Sequence, residues 1–240
     1  MTAAMINPAQ LQAVMEATWG PASTTRLGPW TIRNGLGGGK RVSATTAEGD
    51  WQDTDIAQAE VAMAALEQPA LFLIRDGDGL LDQALMARGY RIVDPVVACA
   101  APLAAMAQAP DHMTTFPHWP PMAIAADLWA EGGIGPARLA VMDRVRGAKT
   151  TILARAQDRA AGTAFVAIHQ NIAMLHALEV TPSQRRQGSA HNILRAAALW
   201  AQGNGADTLS LVVTVANDPA RRLYASLGMQ AVGQYHYRQK

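Results

Sequence analysis

Six consecutive residues stand where a strand gives way to a helix: Arg185, Arg186, Gln187, Gly188, Ser189 and Ala190. The first turn of a helix carries backbone N–H groups with no partner inside the helix, and the macrodipole adds about half a positive charge there. Gly188, Ser189 and Ala190 put no bulky side chain in front of those amides. A phosphate or diphosphate can therefore rest directly on the backbone. Arg185 and Arg186 add full charges at the rim. No Gly-Lys-Ser/Thr follows, so this is not a Walker loop. No G-x-G-x-x-G precedes it, so it is not a dinucleotide fingerprint. The chemistry it offers is diphosphate binding.

The elements around this cradle follow from pattern. Asn7-Pro8 reads as a cap and first turn of a helix reaching about Thr18. Trp30–Arg33 and Arg41–Thr45 read as strands flanking the loop GLGGGK, and Asp53–Glu67 as a helix. Leu71–Arg75 reads as a strand, Gly79–Arg88 as a helix stopped by Gly89, and Tyr90–Ala100 as a strand. Residues 107–121 hold four prolines and two histidines and read as a linker. Then come helices at Pro121–Glu131 and Pro136–Val145, and strands at Thr150–Arg155, Thr163–His169 and Ile172–Val180. The cradle helix is placed at Ser189–Gln202, a strand at Thr208–Val215, a helix at Pro219–Ser226 and a last strand at Gln230–Tyr237. LFLIRDGDGLLDQALMARGYRIV echoes LSLVVTVANDPARRLYASLGMQAV, each being strand, helix, glycine, strand. The two halves thus read as copies of one α/β unit.

Composition narrows the function. Of 240 residues, 50% are hydrophobic and 16% charged, below the usual quarter, so a well-filled core is expected. The net charge of +1 argues against a nucleic-acid partner. The six tryptophans do not interleave with basic residues, which argues the same way. The lone Cys99 lies in the apolar run VVACAA and reads as a small core residue. One cysteine allows no internal disulfide, which suits a cytoplasmic location. MTAAMINPAQLQAVMEA has neither an early basic residue nor a continuous apolar stretch, so no signal peptide is expected. The longest apolar run is broken by Pro102, so no membrane span is expected either. His112 and His118 lack metal-ligand spacing, and no metal site is expected.

Arg185-x-x-Gly188-x-Ala190, after a strand ending Leu178-x-Val180-x-Pro182, resembles the coenzyme A loop of the GCN5-related N-acetyltransferases, the GNAT superfamily. Asn217-x-x-Ala220-x-x-Leu223-Tyr224-x-x-x-Gly228-Met229 resembles that family's next motif. Together they span about residues 150 to 240. The first half resembles a degenerate copy without a cradle.

The resemblance implies roles for single residues. Amides of Gln187, Gly188, Ser189 and Ala190 would hold the pyrophosphate of acetyl-CoA. Backbone groups at Leu178 and Val180 would pair with the pantetheine arm, as an added strand does. Asn217 would hydrogen-bond that arm. Tyr224 would protonate the leaving thiolate; the alternative is a core-facing helix tyrosine. Arg221 and Arg222 could meet the 3′-phosphate or simply be solvated. His176, placed by period two on the same face as Leu178 and Val180, is the candidate base. The run Leu175-His176-Ala177-Leu178-x-Val180 is similar to the arylalkylamine N-acetyltransferases, although Met174 stands where those carry another histidine. A half-buried structural histidine is the equal alternative, and Glu179 is a weaker candidate. Trp129 and the Gly132-Gly133-Ile134-Gly135 turn fall where the family places its acceptor-site helices.

The expectation is an α/β (α+β) protein of two GNAT-like mixed-sheet units. Residues 1–107 form the degenerate unit, 108–121 the linker and 122–240 the acetyl-CoA-binding catalytic unit. It would acetylate a primary amine, on a small molecule or a peptide, by direct attack. A non-catalytic CoA sensor is the rival reading. The acceptor, and whether the chain forms a homodimer, stay open.

Overall fold

Asn7 and Gln10 close a reciprocal capping box, each side chain accepting from the other's backbone N–H, at 2.9 and 3.0 Å. It opens helix α1 (Pro8–Thr18) in the computed structural model, which describes residues 6–106 and 108–240. Residues 1–5, on which part of the leader reading falls, and Ala107, the end of the expected first unit, lie outside the described residues.

Strands β1 (Ser23–Leu27), β2 (Trp30–Asn34) and β3 (Thr46–Ala47) form a small antiparallel sheet. Between β2 and β3 lies a helical turn, α2 (Lys40–Ser43), where a strand was expected at Arg41–Thr45. Gly39, at φ 100, turns the chain into it. The preceding glycines are demanded by packing: a Cβ on Gly38 would stand 2.6 Å from Val141 and 2.9 Å from Val42. Close approach of this loop to a neighbouring helix thus overrides the β-branched pattern of RVSATT.

Then follow α3 (Asp53–Ala65), β4 (Leu71–Arg75), α4 (Gly79–Ala87), β5 (Arg91–Pro102) and α5 (Leu103–Met106). The expected linker is not wholly irregular: it contains β6 (Thr115–His118), which pairs with β7 (Lys149–Ala156). Helices α6 (Ala123–Glu131) and α7 (Pro136–Arg144) come between them. The rest of the chain is β8 (Arg159–His169), β9 (Ile172–Val180), a 3-10 turn at Pro182–Gln184, α8 (Ser189–Gly203), β10 (Thr208–Thr214), α9 (Asp218–Ser226) and β11 (Gln230–Gln239).

The main sheet has eight strands in the order β4-β11-β5-β10-β9-β8-β7-β6. The two segments that echo each other in sequence interleave here. β5 lies between β10 and β11, and β11 lies between β5 and β4. Each strand–helix–strand unit therefore gives its second strand to the other, and hydrogen bonds run continuously through both halves. Helix α8 covers one face with the stripe Ile193, Leu194, Ala197, Ala198 and Ala201, all buried at helical spacing. Helix α1 covers the other, packing Leu11, Val14 and Met15 near Met174 and Tyr235.

Candidate active site

Parallel pairing of β9 with β10 runs from Ile172–Thr208 to Leu175–Leu211 and then stops. Beyond that point β9 stays with β8 as far as Val180–Gly162, while β10 stays with β5 as far as Thr214–Val96. The two strands fork, and a gap opens in the middle of the sheet.

A bulge shapes one side of the gap. Phe165 pairs with His176 and Thr163 with Glu179, so two residues of β9, Ala177 and Leu178, oppose the single Ala164 of β8. Ala177 takes the surplus position at φ 51. Trp129, fully buried, fixes it by donating its indole N–H to the Ala177 carbonyl at 2.8 Å. The bulge corrects the period-two reading of this strand. Leu178 and Val180 pack on the α8 side. His176 lies on the α1 side, stacked on Trp19 at 5.0 Å and close to Phe165.

On the α8 side the gap opens into a groove of about 920 Å³. Its walls bring together residues far apart in sequence: Leu178, Glu179 and Val180 of β9, Arg185 to Ala190 with the exception of Gln187, and Asn217 and Tyr224 of α9. Gly188, at φ 83, is the residue before α8, and no side chain caps the helix. The Ser189 hydroxyl is buried beside those amides without a hydrogen-bond partner. An uncapped helix mouth and an unpartnered buried hydroxyl facing a groove are donors awaiting an acceptor, which suits a diphosphate. Gln187 is exposed, its side chain donates to the Ser183 carbonyl at 3.3 Å, and it stands outside the groove lining.

The two arginines behave differently from the expectation of a charged rim. Arg185 turns back along β9, donating from Nε to the Val180 carbonyl at 3.0 Å and from Nη2 to Glu179 at 3.3 Å. It thereby occupies a carbonyl expected to face the pantetheine arm. Arg186, at φ 65, is exposed and lines the groove. Asn217 caps α9 through Oδ1, accepting from the Ala220 amide at 3.2 Å, and the residue lines the groove. Arg222 lines the groove, whereas Arg221 turns to Val215 and Asp218. Tyr224 is buried, and desolvation, with a smaller contribution from Cys99, pushes its hydroxyl up to about 12. It keeps its proton at neutral pH.

A second cavity of about 280 Å³ lies on the α1 side of the fork, lined by His176 and Ala177 of β9 and by Val212 to Thr214 of β10. His176 is 3% exposed there. Its Nδ1 lies 2.9 Å from Arg41 Nη1 and its Nε2 lies 2.9 Å from Thr18 Oγ1. Burial, and then the charge of Arg41, hold its pKa well below the usual histidine range. Guanidinium can only donate, so Nδ1 accepts and Nε2 carries the proton. Both nitrogens are engaged, and the expectation of a base beside the pantetheine strands gives way to a neutral histidine that orients Arg41.

Sequence reasoning missed the second cavity's other walls: Arg41 from the N-terminal half, Arg138 of α7, and Tyr235 and Tyr237 of β11. They are contributed by segments more than 190 residues apart, and no local spacing announces them. It also missed His191, which lines the groove from the first turn of α8 and whose place on the helix could have been read from the helix start. Among the described residues no cluster of three His, Cys, Asp or Glu is placed to hold a metal, and no helix is long and apolar enough to cross a membrane.

A mixed α/β sheet forked at its centre, with an uncapped helix mouth over the fork, is an arrangement suited to an acyltransferase. Residues 119–229 match the Acetyltransferase (GNAT) family. The chain is 23% identical over 241 residues, 96% of its length and 98% of the relative's, to the Bacillus subtilis (strain 168) protein described as uncharacterized N-acetyltransferase YobR. Its fold is similar to that of a GCN5-related N-acetyltransferase from Kribbella flavida, with a TM-score of 0.71 at 16% identity, covering 99% of this chain and 96% of that one. It is also similar to a tandem GNAT protein from the clavulanic acid biosynthesis pathway, with a TM-score of 0.61 at 12% identity, covering 97% and 88%. At these identities the likeness to solved structures is one of fold.

Proposed function

We propose that this acetyltransferase moves an acetyl group from acetyl-CoA to a primary amine by direct attack across the β9–β10 fork, with one acetyl-CoA held by the C-terminal half. The observation that carries the reading is the uncapped mouth of α8, with Gly188 left-handed and the Ser189 hydroxyl unpartnered, opening on the same groove that holds Tyr224.

Acetyl-CoA supplies an activated acyl carbon when bound. The amides of Gly188, Ser189 and Ala190 hold the diphosphate, and Arg222 or Arg186 meets further phosphate. The NH2 group of Asn217 donates to the arm. Forking leaves β9 groups near Leu178 without a β10 partner, free to pair with the arm and to polarise the carbonyl. The acceptor nitrogen's lone pair forms the new bond to carbon, the carbon–sulfur pair leaves on sulfur, and Tyr224 gives the sulfur its proton. The nitrogen's surplus proton goes to water. His176, fully engaged, is not given the task of removing it.

Release of free thiol from acetyl-CoA, followed with a chromogenic disulfide over a panel of primary amines, tests the reading. Amine-dependent thiol release with the acetylated amine found by mass spectrometry is expected. Tight CoA binding with no amine-dependent turnover would favour a sensor.

A further inference from the structure

The cavity on the α1 side of the fork has an electrostatic character that the transfer reaction does not require. Arg41 and Arg138 both line it, and among the described residues neither forms an ion pair. Lys40 also lines it but is neutralised by Asp94 at 2.8 Å. His176 is neutral, so the remaining charge around the cavity is that of the two guanidiniums. Arg41 is half-buried, and its Nε is buried without a partner. Leaving such a donor unsatisfied is costly, about 1–3 kcal/mol for an ordinary group and more for a charged one. Its Nη1 is fixed by His176, which Thr18 anchors in turn, and its guanidinium carbon lies 5.8 Å from the Trp19 ring centre. The Arg138 guanidinium reaches over Gly39, where a Cβ would lie 3.5 Å from its Nε. The helical turn α2 and helix α7 thus each bring one cation to the lining of the same cavity. Val96, Val212, Val213 and Ile134 provide apolar surface beside them. A volume of about 280 Å³ suits a molecule the size of an amino acid.

We propose that this cavity is the acceptor site and that it selects amines carrying a carboxylate, which Arg41 and Arg138 bind while the amine reaches through the fork. The proposal rests on the reading of the opposite groove as the acetyl-CoA site. Two guanidiniums converging on one carboxylate give direction as well as affinity, because each presents its donors in a plane. Neutralising them also removes a positive field that would otherwise repel an ammonium acceptor.

The test compares matched probes: a panel of L-amino acids, the corresponding carboxamides, and O-phosphoethanolamine. Thiol release from acetyl-CoA is measured with the full chain and with Arg41→Lys, Arg41→Gln and Arg138→Gln. Replacing the carboxylate by a carboxamide is expected to lower kcat/KM at least about tenfold for the unaltered protein, one charge-assisted contact being worth that much or more. Arg138→Gln, on a half-exposed helix face, should erase most of that preference, chiefly through KM, while leaving turnover of the carboxamides in place. Arg41→Gln should do the same, and Arg41→Lys should restore part of it. Carboxamides used as well as the acids, or arginine variants that lower both classes equally, would overturn the proposal while leaving acetyl transfer intact. A preference for O-phosphoethanolamine over every amino acid would overturn the carboxylate assignment. Turnover of none of the probes or of other amines, with CoA still bound, would remove the transfer reaction and this inference with it.

Discussion

Arg41 Nη1 and His176 Nδ1 lie 2.9 Å apart, joining a helical turn of the N-terminal half to the strand that borders the fork. The contact sets the histidine's tautomer. Thr18 takes the other ring nitrogen and passes its own hydroxyl proton to the Val14 carbonyl at 2.5 Å. Charging His176 would break this chain and place two cations together in a dry site.

The consequence for stability has a sign. His176 binds its proton less readily in the folded chain than in the unfolded one, because burial and Arg41 lower its pKa. Above the ordinary histidine value, about 6.5, both states are neutral and the group adds no pH dependence. As pH falls below that value the unfolded chain takes up the proton first, and stability declines. His176→Gln, which can still accept from Arg41, should flatten this decline between about pH 6.5 and 5 in thermal denaturation. It should also leave the acidic limb of the rate profile in place. Loss of that limb in the variant would restore His176 as the base.

Tyr224→Phe removes one hydroxyl and little volume. Because Tyr224 is protonated at neutral pH, with its pKa at about 12, its loss should lower the chemical step on the order of 10²-fold. CoA affinity should be nearly unchanged by calorimetry. Wild-type turnover under single-turnover conditions would exclude the role.

Trp129→Phe keeps the ring in the core but withdraws the donor from the Ala177 carbonyl. The orphaned carbonyl should cost about 1–3 kcal/mol, read as a lower melting temperature. The bulge would also loosen, and the turnover number should fall about tenfold or more as reacting groups lose alignment. Unchanged turnover in a destabilised protein would show that the bulge is structural only.

The N-terminal half has its own hollow, and Arg75 lines it. Arg75 reaches across from β4 to the Ala47 carbonyl, to Glu48 at 3.1 Å and to Asp78 at 3.1 Å. The hollow there is lined by Glu48, Trp51 and the first turn of α4, and the residue at the mouth of that helix is itself a carboxylate, Asp78. Carboxylates at such a place repel a diphosphate. Titration calorimetry should therefore count one CoA per chain, and Arg75→Ala should not add a second. Two CoA per chain would contradict the division of labour.

The uncapped mouth of α8 was legible in the sequence because helix starts are local: Gly188, Ser189 and Ala190 mark it within three positions. The face of His176 was not legible, because one surplus residue at Ala177 reverses the period of the strand and no residue type marks it. Arg41 was misread as part of a strand, since the contact that bends the chain, Gly38 against Val141, joins residues far apart in sequence. The sharing of β5 and β11 between the halves was equally invisible. Their echo predicted matching units, but pattern alone does not say which strand pairs with which.

Calorimetric titration of CoA into Gly188→Glu tests the central assignment most directly. A Cβ at Gly188 meets no protein atom within 4 Å, so the glutamate would project into open space at the helix mouth. The left-handed backbone there costs a non-glycine residue about 1–2 kcal/mol, which leaves the fold in place. With a negative charge set where the diphosphate would lie, CoA binding should be lost while circular dichroism and cooperative unfolding are kept. Unchanged CoA affinity in the folded variant would contradict the assignment of the α8 mouth as the cofactor cradle.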